Sequence, residues 1–197
     1  MSKDPITAMS VDQLASAASD VSRKGLPPVH EWHPDFSGDI DIRITRDGAW
    51  YHEGDLIRRP GLVRLFSTIL RKEGDDYYLV TPVEKVRITV DDAPFVAVDF
   101  EPDGTGRDLT LTFETNVGDR ATAGPRHPVR VARDPDTGEP SPYVLVRDNL
   151  EALIDRKSFY RLVELGTRDN GWFGVWSGGE FFRFARADEL PDGTTGA

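Results

Sequence analysis

The run Thr81-Pro82-Val83-Glu84-Lys85-Val86-Arg87-Ile88 holds the densest set of side chains able to do chemistry. Val86, Ile88 and Val90 alternate with Lys85, Arg87 and Thr89, so a strand here turns its apolar residues one way and its charged residues the other. Asp41 and Arg43 alternate in the same manner with Ile40, Ile42 and Ile44. Paired strands would merge the two polar faces into one mixed-charge surface. There Arg43, Lys85 and Arg87, with Arg64 from a helix, could neutralise a phosphate or carboxylate, arginine through its planar fork. Asp41 and Glu84 would orient those cations or accept hydrogen bonds. These six are the candidate ligand-binding residues. The same pattern also fits a solvated sheet face whose cross-strand ion pairs contribute well under ~1 kcal/mol each.

Other chemistries lack their residues. The chain has no cysteine, which excludes disulfides, zinc–thiolate sites and a thiol nucleophile. It has no P-loop, no HExxH and no GxSxG; Gly104-Thr105-Gly106 approaches a dinucleotide loop, but Leu109 stands where its third glycine belongs. His30, His33 and His52, with Asp35 or Glu53, are metal-ligand types. Pro27, Pro28 and Pro34 place the first two on an extended segment without fixed geometry, so neither a metal nor another cofactor is expected. Arg58, Arg59, Arg64, Arg71 and Lys72 make the first long helical pattern locally basic.

The whole chain of 197 residues carries a net charge of −10. That balance disfavours nucleic acid, whose binding rests on neutralising phosphates. No apolar run approaches the ~20 residues that cross a bilayer, and residues 1–25 lack a signal-peptide core. A cytoplasmic protein without membrane or nucleic-acid partners is the expectation. A small anionic ligand, a protein partner or a second copy of the chain remains.

The elements that position these residues follow from pattern. Ser10 and Gln13 have capping-box spacing and open a helix over Ser10–Val21. Gly38–Gly54 reads as a hairpin around a type I′ turn at Asp47-Gly48. Leu62, Leu65, Phe66, Ile69 and Leu70 predict a helix from Pro60 that Gly74 ends. Strands are expected at Tyr77–Val80, Val83–Val90, Phe95–Phe100, Leu109–Phe113, Val129–Arg133, Tyr143–Arg147, Trp172–Trp176 and Phe181–Phe184. Asp148 and Glu151 suggest a second capping box, with Leu150, Leu153 and Ile154 on its helix. At an offset of 97, Arg59, Leu62, Arg64 and Leu65 meet Arg156, Phe159, Arg161 and Leu162, as a structural repeat or any two helix–hairpin units would. Consecutive aromatics such as Trp172-Phe173 face opposite ways on a strand, so one of each pair is left to line a pocket or an interface.

The runs Gly38 to Ile44, Leu62 to Ser67 and Tyr77 to Ile88, followed by Asp92-Ala93-Pro94-Phe95, resemble the bacterial domain-of-unknown-function family 1285. Pro142-Tyr143-Val144 and Phe159-Tyr160 are similar to its C-terminal half. The resemblance implies two small α+β domains with repeated motifs and a role in signal transduction or ligand binding; it brings no catalytic residue.

The expected fold is therefore α+β: two similar units, each an antiparallel curved sheet with a packed helix, plus an N-terminal helix. The expected divisions are 1–26, 27–102, 103–190 and a disordered tail, 191–197. The leading functional expectation is a non-catalytic, regulatory binding protein with its ligand near the inter-unit cleft. One alternative is a hydrolase-type enzyme using Glu84, Asp91 or Asp92 as general base in that cleft, with Lys85 or Arg87 stabilising developing charge. Another is a structural interaction module that self-associates through its aromatic strands.

Overall fold

Leu14 and Ala18, four residues apart, are fully buried on α1 (Val11–Ser22), the helix that opens the described part of the chain. The computed structural model describes residues 10–190, so the expected tail from Pro191 lies outside them. The capping box forms as the spacing requires: Gln13 N–H donates to Ser10 Oγ, and Ser10 N–H donates to Gln13 Oε1.

The first of two compact units ends at Asp92. After α1 come β1 (Phe36–Ile44), β2 (Trp50–His52), β3 (Asp55–Leu56), α2 (Pro60–Thr68), β4 (Leu70–Glu73), β5 (Asp76–Val80) and β6 (Lys85–Val90). They build one sheet in the order β3-β2-β1-β6-β5-β4. Its hairpins are antiparallel, but β1 and β6 pair in parallel. That pair is the exception in a sheet that is otherwise antiparallel, as expected of most pairs, because the chain crosses through α2 before β6 returns beside β1. Ile42, Ile44 and Trp50 share the inner face, and Trp50 stacks on Phe66 of α2 with ring centroids 6.4 Å apart. A hydroxyl contact of 2.8 Å between Ser22 and Thr68 ties α1 to α2.

Two local expectations for this unit change. The helix stops at Thr68 rather than Gly74, and Leu70 to Glu73 are a strand whose Leu70 faces Leu79. The Asp47-Gly48 turn has a positive φ at Gly48 only, so it is a longer loop closed by a left-handed glycine and not a type I′ turn.

The second unit begins at Ala93. Its strands β7 (Phe95–Asp103), β8 (Thr110–Thr115), β9 (Arg120–Thr122), β10 (Val129–Arg133), β11 (Pro140–Arg147) and β12 (Leu150–Ile154) form a sheet in the order β10-β11-β12-β7-β8-β9. Here too one pair, β7 with β12, is parallel. α3 (Arg156–Glu164) leads into a three-stranded antiparallel sheet of β13 (Thr167–Asp169), β14 (Trp172–Ser177) and β15 (Glu180–Arg186). Fully buried Ser177 joins the sheets: it accepts from Leu111 N–H at 2.9 Å and donates to Ala123 C=O at 2.8 Å.

The division between units falls at Asp92/Ala93, ahead of the expected 102/103. The polar Glu101–Asp108 stretch is the end of β7 and its turn into β8, so its composition marks a hairpin. The second capping box is also displaced. Leu150, Ala152 and Ile154 are buried at a period of two and make β12, while Asp155 caps α3 by accepting from Ser158 N–H at 2.7 Å.

The repeat is real at the level of topology. α2-β4-β5-β6 and α3-β13-β14-β15 are each a helix followed by a three-stranded meander. The pairs Leu70–Leu79, Arg71–Tyr78 and Lys72–Tyr77 correspond to Thr167–Gly174, Arg168–Phe173 and Asp169–Trp172.

Candidate functional site

The strand register gathers some of the six candidates and separates others. Asp39, Arg87, Tyr78 and Arg71 stand in one row across β1, β6, β5 and β4. Arg87 donates to both carboxylate oxygens of Asp39, at 2.7 and 3.2 Å, and lies 3.8 Å from Asp76. Lys85 donates to Glu73 at 3.0 Å and sits 5.0 Å from the Tyr78 ring. Arg43 holds Asp91 through two bonds of 2.8 and 2.9 Å. These cations are already matched by carboxylates. Asp39 and Glu73 are both held below the ordinary carboxylate range. For Asp39 the cause is the hydrogen bond from Arg87. For Glu73 burial pushes upward, but hydrogen bonds from Lys85 and Arg71 outweigh it.

Asp41 is exposed on β1. Glu84 lies in the β5–β6 loop, where its N–H donates to Thr81 Oγ1 at 3.2 Å. Arg64 rides on α2, which covers the isoleucine side of the sheet, so the sheet stands between it and Arg87. Of the carboxylates considered as a general base, Asp91 is engaged by Arg43 and Asp92 by Arg46. The five basic residues assigned to one helix also part company: Arg58 and Arg59 precede α2, Arg71 and Lys72 lie on β4, and Arg64 alone is helical. Among the described residues no three or more His, Asp or Glu side chains gather as a metal would need, and no helix is long and apolar enough to cross a membrane.

A concave site lies elsewhere in the first unit. A groove of about 530 Å³ is lined by the start of α1, the β2–β3 hairpin and the segment entering α2. Glu53 and Gly54 both have positive φ, 50° and 81°, which returns the chain tightly and sets His52 opposite Asp55. Pro60 at the first helical position keeps Arg59 extended, at φ −91° and ψ 104°. Arg58 and Arg59 thus reach the groove from extended backbone. His52, Asp12, Glu53 and Asp55 line it as well. Among the described residues, neither Arg58 nor Arg59 has a carboxylate partner. The sequence contained these residues, but nothing in a local pattern brings Asp12, His52 and Arg59 to one wall. The one available signal was Glu53-Gly54, a turn pair followed shortly by Pro60.

Fold and site together define a two-unit α+β protein with a repeated helix–meander and an open polar groove. The N-terminal domain model of the DUF1285 domain of unknown function matches residues 27–93, and the C-terminal model matches residues 94–184. The chain belongs to the DUF1285 family. A DUF1285 protein from Silicibacter pomeroyi DSS-3 is 59% identical, with a TM-score of 0.88 over 93% of this chain and 99% of its own. Another, from Shewanella baltica OS155, is 30% identical, with a TM-score of 0.49 over 62% of this chain and 89% of its own. No curated protein matches the chain.

Proposed function

We propose that this is a non-catalytic binding protein whose ligand is a small carboxylate- or phosphate-bearing metabolite held in the groove of the first unit. One observation carries the reading. The cations of β6 are already neutralised, whereas Arg58 and Arg59 line a concave surface without carboxylate partners among the described residues. Their guanidiniums would take the anionic group as a planar, multiply bonded pair. Asp12, Glu53 and Asp55 on the same walls accept hydrogen bonds, so the ligand also carries hydroxyl or amino groups. Of the carboxylates considered as a general base, Asp91 and Asp92 are held by Arg43 and Arg46, which supports binding over catalysis.

The test is a thermal-shift screen of the full chain against organic acids, amino acids and sugar phosphates. A ligand at ~100 times its dissociation constant stabilises the native state by about 2.7 kcal/mol. The expected result is a hit that disappears in Arg58→Ala and Arg59→Ala and survives in Arg87→Ala. A hit lost only in Arg87→Ala would return the site to the outer face of the sheet.

A further inference from the structure

The groove of the first unit holds charges of both signs that do not pair with one another. Glu53 and Asp55 come from the β2–β3 hairpin, Arg58 and Arg59 from the segment entering α2, and Asp12 from the first turn of α1. Asp55 and Arg58 stand only three residues apart. Among the described residues, none of these five side chains makes an ion pair. Elsewhere in the unit Arg43 holds Asp91, Arg46 holds Asp92 and Arg87 holds Asp39. The groove therefore sets an acidic hairpin beside a basic segment and leaves both open. Apolar residues lie between the two in sequence. Leu56 is 41% exposed and Ile57 is half-buried, with half-buried Leu62 following on α2.

The balance of these charges narrows the ligand. Three carboxylates against two guanidiniums leave the five side chains one charge negative. A phosphate dianion would add to that excess. A simple carboxylate would answer the arginines and leave the acids unmatched. A ligand that carries both an ammonium and a carboxylate answers each sign with charge-assisted hydrogen bonds. The helices orient it. α1 and α2 run side by side in the same direction, because Ser22 meets Thr68 at one end while Ser10 and Arg59 line the groove at the other. The start of α1 is closed by the Ser10–Gln13 capping box, whereas no side chain caps the start of α2. The open N–H groups and positive end of α2 favour the carboxylate beside Arg59.

We infer that the ligand is a zwitterion with an apolar body, its ammonium at Glu53 and Asp55, its carboxylate at Arg58 and Arg59, and its apolar part over Leu56 and Ile57. The inference rests on the groove as the binding site proposed above and names the class of ligand that site takes. An apolar α-amino acid and a short apolar peptide with free ends share this chemistry.

The experiment is a calorimetric titration of the full chain with leucine, with leucylleucine and with two truncated forms of leucine. Isoamylamine lacks the carboxylate, and 4-methylpentanoate lacks the ammonium. The expected result is that leucine or leucylleucine binds about tenfold or more tightly than either truncated form, as one charged hydrogen-bonding partner contributes. The tighter of the two tells a free amino acid from a peptide. Glu53→Gln with Asp55→Asn should weaken the zwitterion about tenfold or more, while 4-methylpentanoate, which has no ammonium to lose, binds no worse. Arg58→Ala and Arg59→Ala should weaken both. All four residues are exposed, so the substitutions leave the core untouched. If 4-methylpentanoate or a sugar phosphate binds as tightly as the zwitterions and depends on Arg58 and Arg59, the inference is overturned and the groove stands as a site for anions. Zwitterion binding that survives both arginine substitutions overturns the inference and the groove reading together. Absence of binding by leucine and leucylleucine overturns the inference, and the groove reading is then decided by whether any anion in the wider screen depends on Arg58 and Arg59.

Discussion

Arg87 and Asp39 face each other across the parallel β1–β6 pair, joined by two hydrogen bonds of 2.7 and 3.2 Å. The relationship closes the register of the parallel pair with a charged fork, and it occupies the residue that the sequence pattern offers first as an anion ligand. Lys85 with Glu73 and Arg43 with Asp91 do the same. The outer face of this sheet is therefore a self-neutralised surface, whereas Arg58 and Arg59, without a carboxylate partner among the described residues, line the groove.

These pairs make acid the destabilising condition. Asp39 is held low by Arg87, Asp99 by Arg161, and Asp134 by the N–H groups of Thr137 and Asp136. A carboxyl depressed in the folded state contributes stability above its unfolded pKa and loses it as pH falls through the folded value. The urea midpoint should thus be flat from about pH 7 to about pH 5 and fall below about pH 4. Each group is solvent-screened, so Asp39→Asn should blunt the fall only slightly. A midpoint unchanged at about pH 3 would contradict the assignment.

Two glycines should respond in opposite directions. Gly174→Ala places a β-carbon 2.0 Å from Phe182 O, a backbone atom that cannot step aside without breaking the β14–β15 ladder. It should cost at least the upper end of the ~1–3 kcal/mol range for overpacking. Gly61 lies in the first turn of α2 with nothing near its absent β-carbon. Gly61→Ala should stabilise by about 0.4–1 kcal/mol, mainly by restricting the unfolded chain. Chemical denaturation of both variants against the parent measures the contrast.

The same two kinds of signal explain what the sequence disclosed. Period-two runs such as Ile40-Asp41-Ile42-Arg43-Ile44 identified β1 and its wet face, since alternation is a property of neighbouring residues. Ser10 and Gln13 fixed the start of α1 for the same reason. The helical spacing of Leu62 to Leu70 was misleading past Thr68 because Leu70 sits at a position that suits either a fourth helical turn or an inward strand residue, and pairing with Leu79 decides it. The parallel β1–β6 register and the groove walls arise from contacts between residues roughly forty to fifty apart in sequence. Local periodicity carries no record of such contacts, so the candidate site was drawn to the most patterned strand.

Arg71 should prove more important than any of the exposed arginines. Its Nη1 donates to the carbonyls of Val29 and Trp32, at 3.0 and 2.6 Å, and its side chain is only 15% exposed. It pins the connector before β1 to strand β4. Arg71→Lys keeps the charge but loses the planar fork that reaches two carbonyls and Glu73 together. Hydrogen bonds from charged donors contribute about 1.5–3 kcal/mol, so Arg71→Ala should lower stability by about that amount and Arg71→Lys by nearly as much. Limited proteolysis should then cut first between Leu26 and Trp32. Equal protection of this segment in parent and variant would show that other contacts hold it.

Glu53 links strain to the groove. Among the described residues, three non-glycine residues have positive φ: Glu53 at 50°, Asp148 at 47° and Asn170 at 49°. Asp and Asn adopt this region readily, whereas glutamate does so at a cost of about 1–2 kcal/mol. The cost falls on the residue that lines the groove between His52 and Asp55, and strained backbone tends to persist where function requires it. Glu53→Asn and Glu53→Gly should therefore raise the melting temperature while weakening the groove ligand, the usual opposition of stability and binding. The two substitutions separate the effects. Both relieve the backbone, but only asparagine retains a side-chain acceptor, so Glu53→Asn should keep more affinity than Glu53→Gly at similar stability. If both variants gain stability with ligand binding intact, Glu53 is a turn residue without a part in recognition, and Asp55 and Asp12 become the acceptors to test.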